Sequence, residues 1–434
     1  MKKILVIANL FHASPRIPNV ATHLRRFGYE PWIVTPPLDA QSEERLGLPM
    51  GFREHVRLIE VPYRGDVLWP WRRLFRRISG KKTGSVTEEI KRTIGASEGA
   101  SYVHRTLYAY QAVFGYPDTE KGWIKPVRRK LASLDSMADF HAVLSSSPYP
   151  TSHLIAQEVK DRYHIPWLAD FRDPWSENHN YAYGRIRRAL DRRLEKRTLA
   201  NSDAITAASP SYAAKQQRLH ERKVTSITNG FDPDSANEAT RLTDSFTITY
   251  AGSIYRDKQN PELFLQSVRE LIDEGRLDGD KTVIRFYGEP MGWVHSLVEK
   301  YHLTGIVSEH GRITRRESFS RQRESQVLLV FGWEDAQETG VYPLKLFEYL
   351  AAKRPILVCG GSEHEEIKEI VRQTNAGSSG VGKSEIKTLL SGYSRSFTET
   401  GSVPYEGRAE SISAYAWPSI AQKFSCVLDT IVEG

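Results

Sequence analysis

The densest group of residues able to do chemistry lies in GVYPLKLFEYLAAKRP, Gly340 to Pro355. Gly340, Val341, Tyr342 and Pro343 lead into a stretch where Leu346, Phe347, Leu350 and Ala351 recur at helical spacing around Glu348. A helix starting there presents free backbone N–H groups to an anion such as a diphosphate. Glu348, one turn in, is placed to accept hydrogen bonds from sugar hydroxyls. On periodicity alone, an ordinary amphipathic helix with Glu348 and Lys345 exposed is the stronger account.

The elements that must position this segment can be read along the chain. KKILVIANL is a short apolar run followed by Ile17, Val20, Leu24 and Phe27 at helical spacing, which predicts strand, loop and helix. PWIVTP, HAVLSSS and PWLADF predict further strands, with a helix from about Ser152 to Tyr163 between the last two. The pattern restarts at Phe246: FTITYAGS, a helix, KTVIRFYGEP, a helix, GIVSEHGR, a helix, SQVLLVFGW, the Gly340 segment and PILVCGG. Short apolar strands alternating with amphipathic helices describe two doubly wound parallel sheets, whose ligands collect at the carboxyl ends of the strands. The turn-rich Asn229 to Asp244 separates the two patterns. The predicted domains are 1–225, 226–408 and a closing helix over 409–434 that packs back on the first domain.

The 434 residues exceed one ordinary core, and 40% hydrophobic content excludes disorder. Cys359 and Cys426 cannot form a disulfide framework or zinc cluster, which fits a reducing, cytoplasmic compartment. Asn9, His12 and Pro15 interrupt the first apolar run, so a buried strand explains it better than a signal peptide. No stretch reaches the ~20 uncharged residues of a membrane-spanning helix. The net charge of +7 permits an anionic partner without establishing one. The D-x-D triplets at Asp232 to Asp234 and Asp278 to Asp280 lie in turn-like sequence, so no metal or other cofactor is expected.

Five ordered motifs carry a family resemblance. The Gly340 segment resembles the donor-site motif of family 4 glycosyltransferases. TYAGSIYRDKQNPELFL resembles their strand, glycine and basic loop, IRFYGEP their strand ending in G-x-P, ITNGFD the sequence after the first domain, and DFRDPW a motif of a bacterial subgroup. Residues 40–135 match only weakly. The resemblance implies a GT-B fold, two Rossmann-like doubly wound domains facing across a cleft. It also implies transfer of a sugar, with retention of configuration, from a nucleotide-sugar donor bound by the second domain. The acceptor, a glycan or glycolipid of bacterial surface-polysaccharide assembly, would be held by the first.

The implied roles carry over where residues match. Glu348 corresponds to the second Glu of the E-x7-E motif, a contact to the nucleotide ribose. The first falls on Gly340, so its role is lost or supplied by backbone, with Glu338 a weak substitute. Lys258, six residues after Gly252, stands where the family has its diphosphate-binding Lys, and Arg256 is a replacement for an Arg whose place is Ser253. Two such cations suit a leaving diphosphate, although a solvated basic turn has the same composition. Where many members carry a His beside the transferred sugar, Arg172 or Asp173 takes that place, or the two simply pair to hold the loop; Asp170 lies within the strand and reads as structural. His153 reads first as a helix-start residue and second as a substrate contact. Arg16, in LFHASPRIPN where the family has a glycine-rich loop, reaches for a phosphate.

Trp69, Trp71 and Phe75 interleave with Arg72, Arg73, Arg76 and Arg77, a composition that suits an anionic membrane surface and suits a packed insertion equally well. No nucleic-acid partner is expected. Two rivals share these features: a nucleotide-sugar 2-epimerase, and a non-catalytic nucleotide-sugar or membrane-binding protein.

Overall fold

A computed structural model describes residues 1–10, 15–38, 43, 46–63, 110, 112–134, 137–181, 183–236 and 240–433. The Trp69 to Arg77 patch lies outside the described residues. The chain divides into two compact units, Met1–Thr228 with Ala421–Gly434, and Asn229–Ile420.

The first unit is built on β1 (Lys2–Ile7), α1 (Arg16–Leu24), β2 (Tyr29–Thr35), β3 (Arg57–Glu60), α2 (Ile124–Ala132), β4 (Phe140–Ser146), α3 (Pro150–Tyr163), β5 (Trp167–Phe171), α4 (Arg185–Leu199), β6 (Ala204–Ala207), α5 (Pro210–His220) and β7 (Thr225–Ser226). Its seven strands are ordered β3-β2-β1-β4-β5-β6-β7, and every pairing is parallel. Ile4, Leu5, Val6 and Ile7 are fully buried because helices cover both faces of the sheet, which is why β1 reads as a continuous apolar run rather than an alternating one.

The second unit contains β8 (Phe246–Ala251), α6 (Glu262–Asp273), β9 (Thr282–Tyr287), α7 (Gly292–Lys300), β10 (Val307–Glu309), α8 (Arg315–Glu324), β11 (Val327–Phe331), α9 (Leu344–Ala352), β12 (Ile356–Cys359), α10 (Glu366–Thr374), β13 (Gly377–Gly380) and α11 (Lys383–Thr400). The six-stranded order is β10-β9-β8-β11-β12-β13, again parallel throughout. One face packs Phe264, Val268, Phe286 and Leu390 around the strands, and the other packs Leu346, Phe347, Leu350 and Ile370. The helix expected from Gly340 begins only at Leu344, after Pro343 in extended conformation, so Gly340 to Pro343 form the turn that leads into it.

The last helix, α12 (Trp417–Glu433), carries Pro418 in its first turn, where proline is tolerated. Within the first unit, Tyr29 donates to Asp429 at 2.6 Å, and Lys2 pairs with Glu433 at 2.8 Å.

Candidate functional site

In the second unit, the carboxyl ends of β8 and β11 carry the basic loop. Gly252 leaves β8 with φ +121°, a conformation that favours glycine, and a side chain there would lie 2.9 Å from Nζ of Lys345. The next strand end packs against it in turn: a Cβ on Gly288 would lie 2.5 Å from the Gly252 carbonyl oxygen. The loop is anchored by Gln259, whose side-chain amide donates to the Phe331 carbonyl at 2.9 Å and accepts the Tyr255 N–H at 3.1 Å. The Lys258 carbonyl accepts the Glu334 N–H at 2.8 Å. Backbone bonds therefore fix the position of Lys258. Among the described residues, the side chains of Arg256 and Lys258 form no hydrogen bond or ion pair, and Arg256 is exposed.

Helix α9 is stitched to the same place. The Tyr349 hydroxyl accepts the Ala251 N–H at 2.9 Å, and Lys345 Nζ sits 3.6 Å from the centroid of the Tyr250 ring. Burial pushes the Lys345 ammonium down to about 7 against the opposing pull of the Glu348 carboxylate. No side chain caps the start of α9; the Leu346 N–H bonds back to the Pro343 carbonyl at 3.0 Å, and the amides ahead of it are the candidates for an anion. Gly340 is buried, and Val341 and Tyr342 are partly buried. The Tyr342 ring meets Phe347 edge-on at 6.0 Å, and its hydroxyl, pushed up by burial, hydrogen-bonds to Glu366. Glu338 sits in the turn ahead of them, its N–H bonded to the Asp335 carbonyl at 2.9 Å.

Glu348 is not a bare exposed carboxylate. It pairs with Arg315 at 3.0 Å, and the Arg315 guanidinium also lies over the Phe319 ring at 5.2 Å. Sequence reasoning missed Arg315. The available signal was Thr314 with Glu317 three residues on, a capping box; the Thr314 hydroxyl indeed accepts the Glu317 N–H at 3.2 Å and fixes the helix start that carries Arg315. Glu365 was missed as well. Its Oε1 accepts the Trp333 N–H at 2.7 Å, and burial pushes its carboxyl up to about 7. Both D-x-D triplets close on themselves: Asp232 and Asp278 each accept the N–H two residues ahead at 3.0 Å.

In the first unit, Arg16 is occupied. Its fork meets Asp170 at 3.0 and 2.8 Å, and it donates to the Ile227 and Thr228 carbonyls at 2.8 and 2.7 Å. These partners hold the buried Arg16 within the first unit, where it also lines the small crevice at the sheet end. Burial raises the Asp170 carboxyl, but Arg16, Ser146 and Thr206 outweigh it and hold it below the ordinary range. Arg172 pairs with Asp173 at 3.1 Å at the end of β5, both partly exposed, and Asp173 exchanges backbone hydrogen bonds with the Ser147 hydroxyl. Ser146, Ser147, Tyr149, Ser152 and Arg172 line a small crevice at this sheet end.

His153 is fully buried in the first turn of α3, stacked on Phe171 at 4.7 Å and joined through Nδ1 to Ser145 at 2.8 Å. Burial pushes it down to about 4. Because its folded value lies below that of the unfolded chain, stability is retained above about 6.5 and lost as pH falls toward 4, a swing of about 3 kcal/mol. His153→Phe is expected to flatten the denaturant-midpoint profile across this interval. An unchanged slope would assign the acid sensitivity to other groups.

Against known proteins, residues 90–235 match the model for Glycosyltransferase Family 4. Among curated proteins, none matches the chain by sequence. Solved structures match in fold along the whole chain. Sucrose-phosphate synthase from Thermosynechococcus elongatus aligns at TM-score 0.59 with 13% identity over 100% of both chains. Anabaena Alr3699/HepE in complex with UDP and glucose aligns at 0.60 with 8% identity over 99% of this chain and 100% of the other. A putative UDP-N-acetylglucosamine 2-epimerase from Listeria monocytogenes aligns at 0.53 with 12% identity over 100% and 97%. The two parallel sheets define the GT-B fold. Together with the family match over residues 90–235, they make the chain a glycosyltransferase.

Proposed function

We propose that the protein transfers a sugar from a nucleoside-diphosphate sugar to a hydroxyl of a glycan or glycolipid acceptor, with retention of configuration. The observation that carries this reading is the join between Ala251–Gly252 and α9, which gathers an uncapped helix start, a basic loop and Glu348 at the strand ends of one sheet. In this reading the second unit binds the donor. The amides around Gly340, Val341 and Tyr342 and the start of α9 receive the diphosphate, Lys258 and Arg256 neutralise it as it leaves, and Glu348 holds the ribose. The first unit takes the acceptor, with Arg172 or Asp173 beside the transferred sugar. A donor phosphate oxygen accepts the acceptor's proton, so no protein base and no metal are assigned. The enzyme works in the cytoplasm, at the inner face of the membrane where a lipid-linked acceptor would lie. Among the described residues no helix is long and apolar enough to cross a membrane.

A thermal-shift screen of UDP, GDP, dTDP and CMP sugars tests the donor site, because a ligand selective for the native state raises Tm. Glu348→Gln is expected to weaken the stabilising donor at least tenfold, the loss of one charge-assisted hydrogen bond. No shift with any donor would remove the reading. Appearance of an isomerised donor without a glycosidic product would favour the epimerase.

A further inference from the structure

Helix α4 is cationic on its outside for a specific reason. Its sequence RIRRALDRRLEKRTL carries seven basic and two acidic residues, and both acids, Asp191 and Glu195, are buried. Asp191 accepts from the Tyr181 hydroxyl at 2.5 Å and from Arg187 Nε at 3.1 Å, while Glu195 accepts the Ser176 N–H at 2.9 Å. The negative charge is thus consumed inside the fold. Among the described residues, Arg185, Arg193 and Arg197 make no ion pair or hydrogen bond.

Large apolar side chains stand among these cations. Of the seven exposed large hydrophobics among the described residues, four belong here: Ile186 at 82%, Val113 at 68%, Phe114 at 55% and Leu190 at 51%. Ile186, Leu190 and Val113 line one groove with Tyr116. The groove is braced from beneath: Arg187 donates to the Gly115 and Pro117 carbonyls at 3.2 and 2.9 Å and lies 4.5 Å from the Tyr116 ring centroid. An apolar ridge held rigidly in a guanidinium field needs a partner that is negative at its surface and apolar just beneath. A solvated charge run does not need four bare aliphatic and aromatic side chains.

We propose that the outer face of α4, with Val113 and Phe114, docks the protein on an anionic lipid surface. The arginines meet the headgroup phosphates while Ile186, Leu190, Val113 and Phe114 enter the acyl boundary. This face stands independently of the Trp69 to Arg77 stretch, which lies outside the described residues, and independently of the glycosyl-transfer reading. A nucleic acid would use the charge but leave the apolar ridge unused.

The test is co-sedimentation of the full chain with phosphatidylcholine vesicles, with and without one-third phosphatidylglycerol, at about 0.1 M and about 0.5 M salt. Binding is expected only to the anionic vesicles and is expected to weaken with salt. The triple variant R185E/R193E/R197E should lose at least about fivefold in partitioning for each arginine. I186S/L190S should lose binding at both salt concentrations. Reversal of exposed Lys125, Arg129 and Lys130 on α2 should leave binding unchanged, and unaltered circular dichroism in every variant separates docking from folding. Equal binding to neutral vesicles, insensitivity to both α4 variants, or loss only on reversal of Arg72, Arg73, Arg76 and Arg77 would each overturn the proposal. So would selective retention on single-stranded RNA that survives I186S/L190S.

Discussion

Arg16→Met is expected to destabilise the first unit by about 3–5 kcal/mol, seen as a lower urea midpoint by circular dichroism. Asp170 is completely buried, and its two oxygens receive four hydrogen bonds, two from Arg16 and one each from Ser146 and Thr206. Removing the guanidinium leaves a buried carboxylate with two hydroxyl partners, and it frees the Ile227 and Thr228 carbonyls of their donor. That charge is worth far less than its desolvation, so it takes up a proton. The sign of the pH dependence then reverses. In the wild type the Asp170 carboxyl lies below its ordinary range, so its contribution is fully present above about 4 and is lost as pH falls from there through its lower folded value. In the variant its value rises, and the deficit should shrink as the medium is acidified. Adding Asp170→Asn removes the stranded charge and should recover part of the loss. A deficit below about 1 kcal/mol at pH 7, with no acid rescue, would show that the pair is dispensable.

Most strands were legible in the sequence because both faces of each sheet are covered and their apolar runs are continuous, as in Ile4 to Ile7 and Val327 to Phe331. Three of the four edge strands were not. Arg57–Glu60, Thr225–Ser226 and Gly377–Gly380 are short and largely polar, and they pair on one side only, so neither periodicity nor hydropathy marks them. The site shows the same division. Gly252 and the 340–355 segment stood out through their resemblance to family motifs, because periodicity alone reads the segment as an ordinary amphipathic helix. The join between them did not, since Tyr349 to Ala251 spans 98 positions and Arg315 to Glu348 depends on where α8 packs. Arg16 shows the same limit. Sequence shows a cation after the first strand, but whether it meets a ligand or Asp170, 154 positions away, is decided by the fold.

Lys258→Ala is expected to lower kcat by about 10²–10³, with a smaller change in the donor's KM. The difference between the two parameters is the content of the claim. On the proposed reading, the ground-state diphosphate already carries its charge and would share it with the amides at the start of α9, so one ammonium should add modestly to binding. As the glycosidic bond breaks, new charge develops on the leaving oxygen, and a cation held in place opposes that rise without reorganising. Lys258 meets the requirement of fixed position through its backbone, since its carbonyl is tied to Glu334 and the neighbouring Gln259 to the end of β11. Arg256 lies in the same loop but is exposed, so Arg256→Ala should cost less than about tenfold. Lys258→Arg keeps the charge and changes the reach, and should recover only part of the rate. Donor hydrolysis without acceptor should fall by the same factor as transfer, because both break the same bond. If transfer falls while hydrolysis does not, Lys258 acts on the acceptor instead, and the leaving-group role passes to another cation such as Lys345, which Gly252 brings against the same loop.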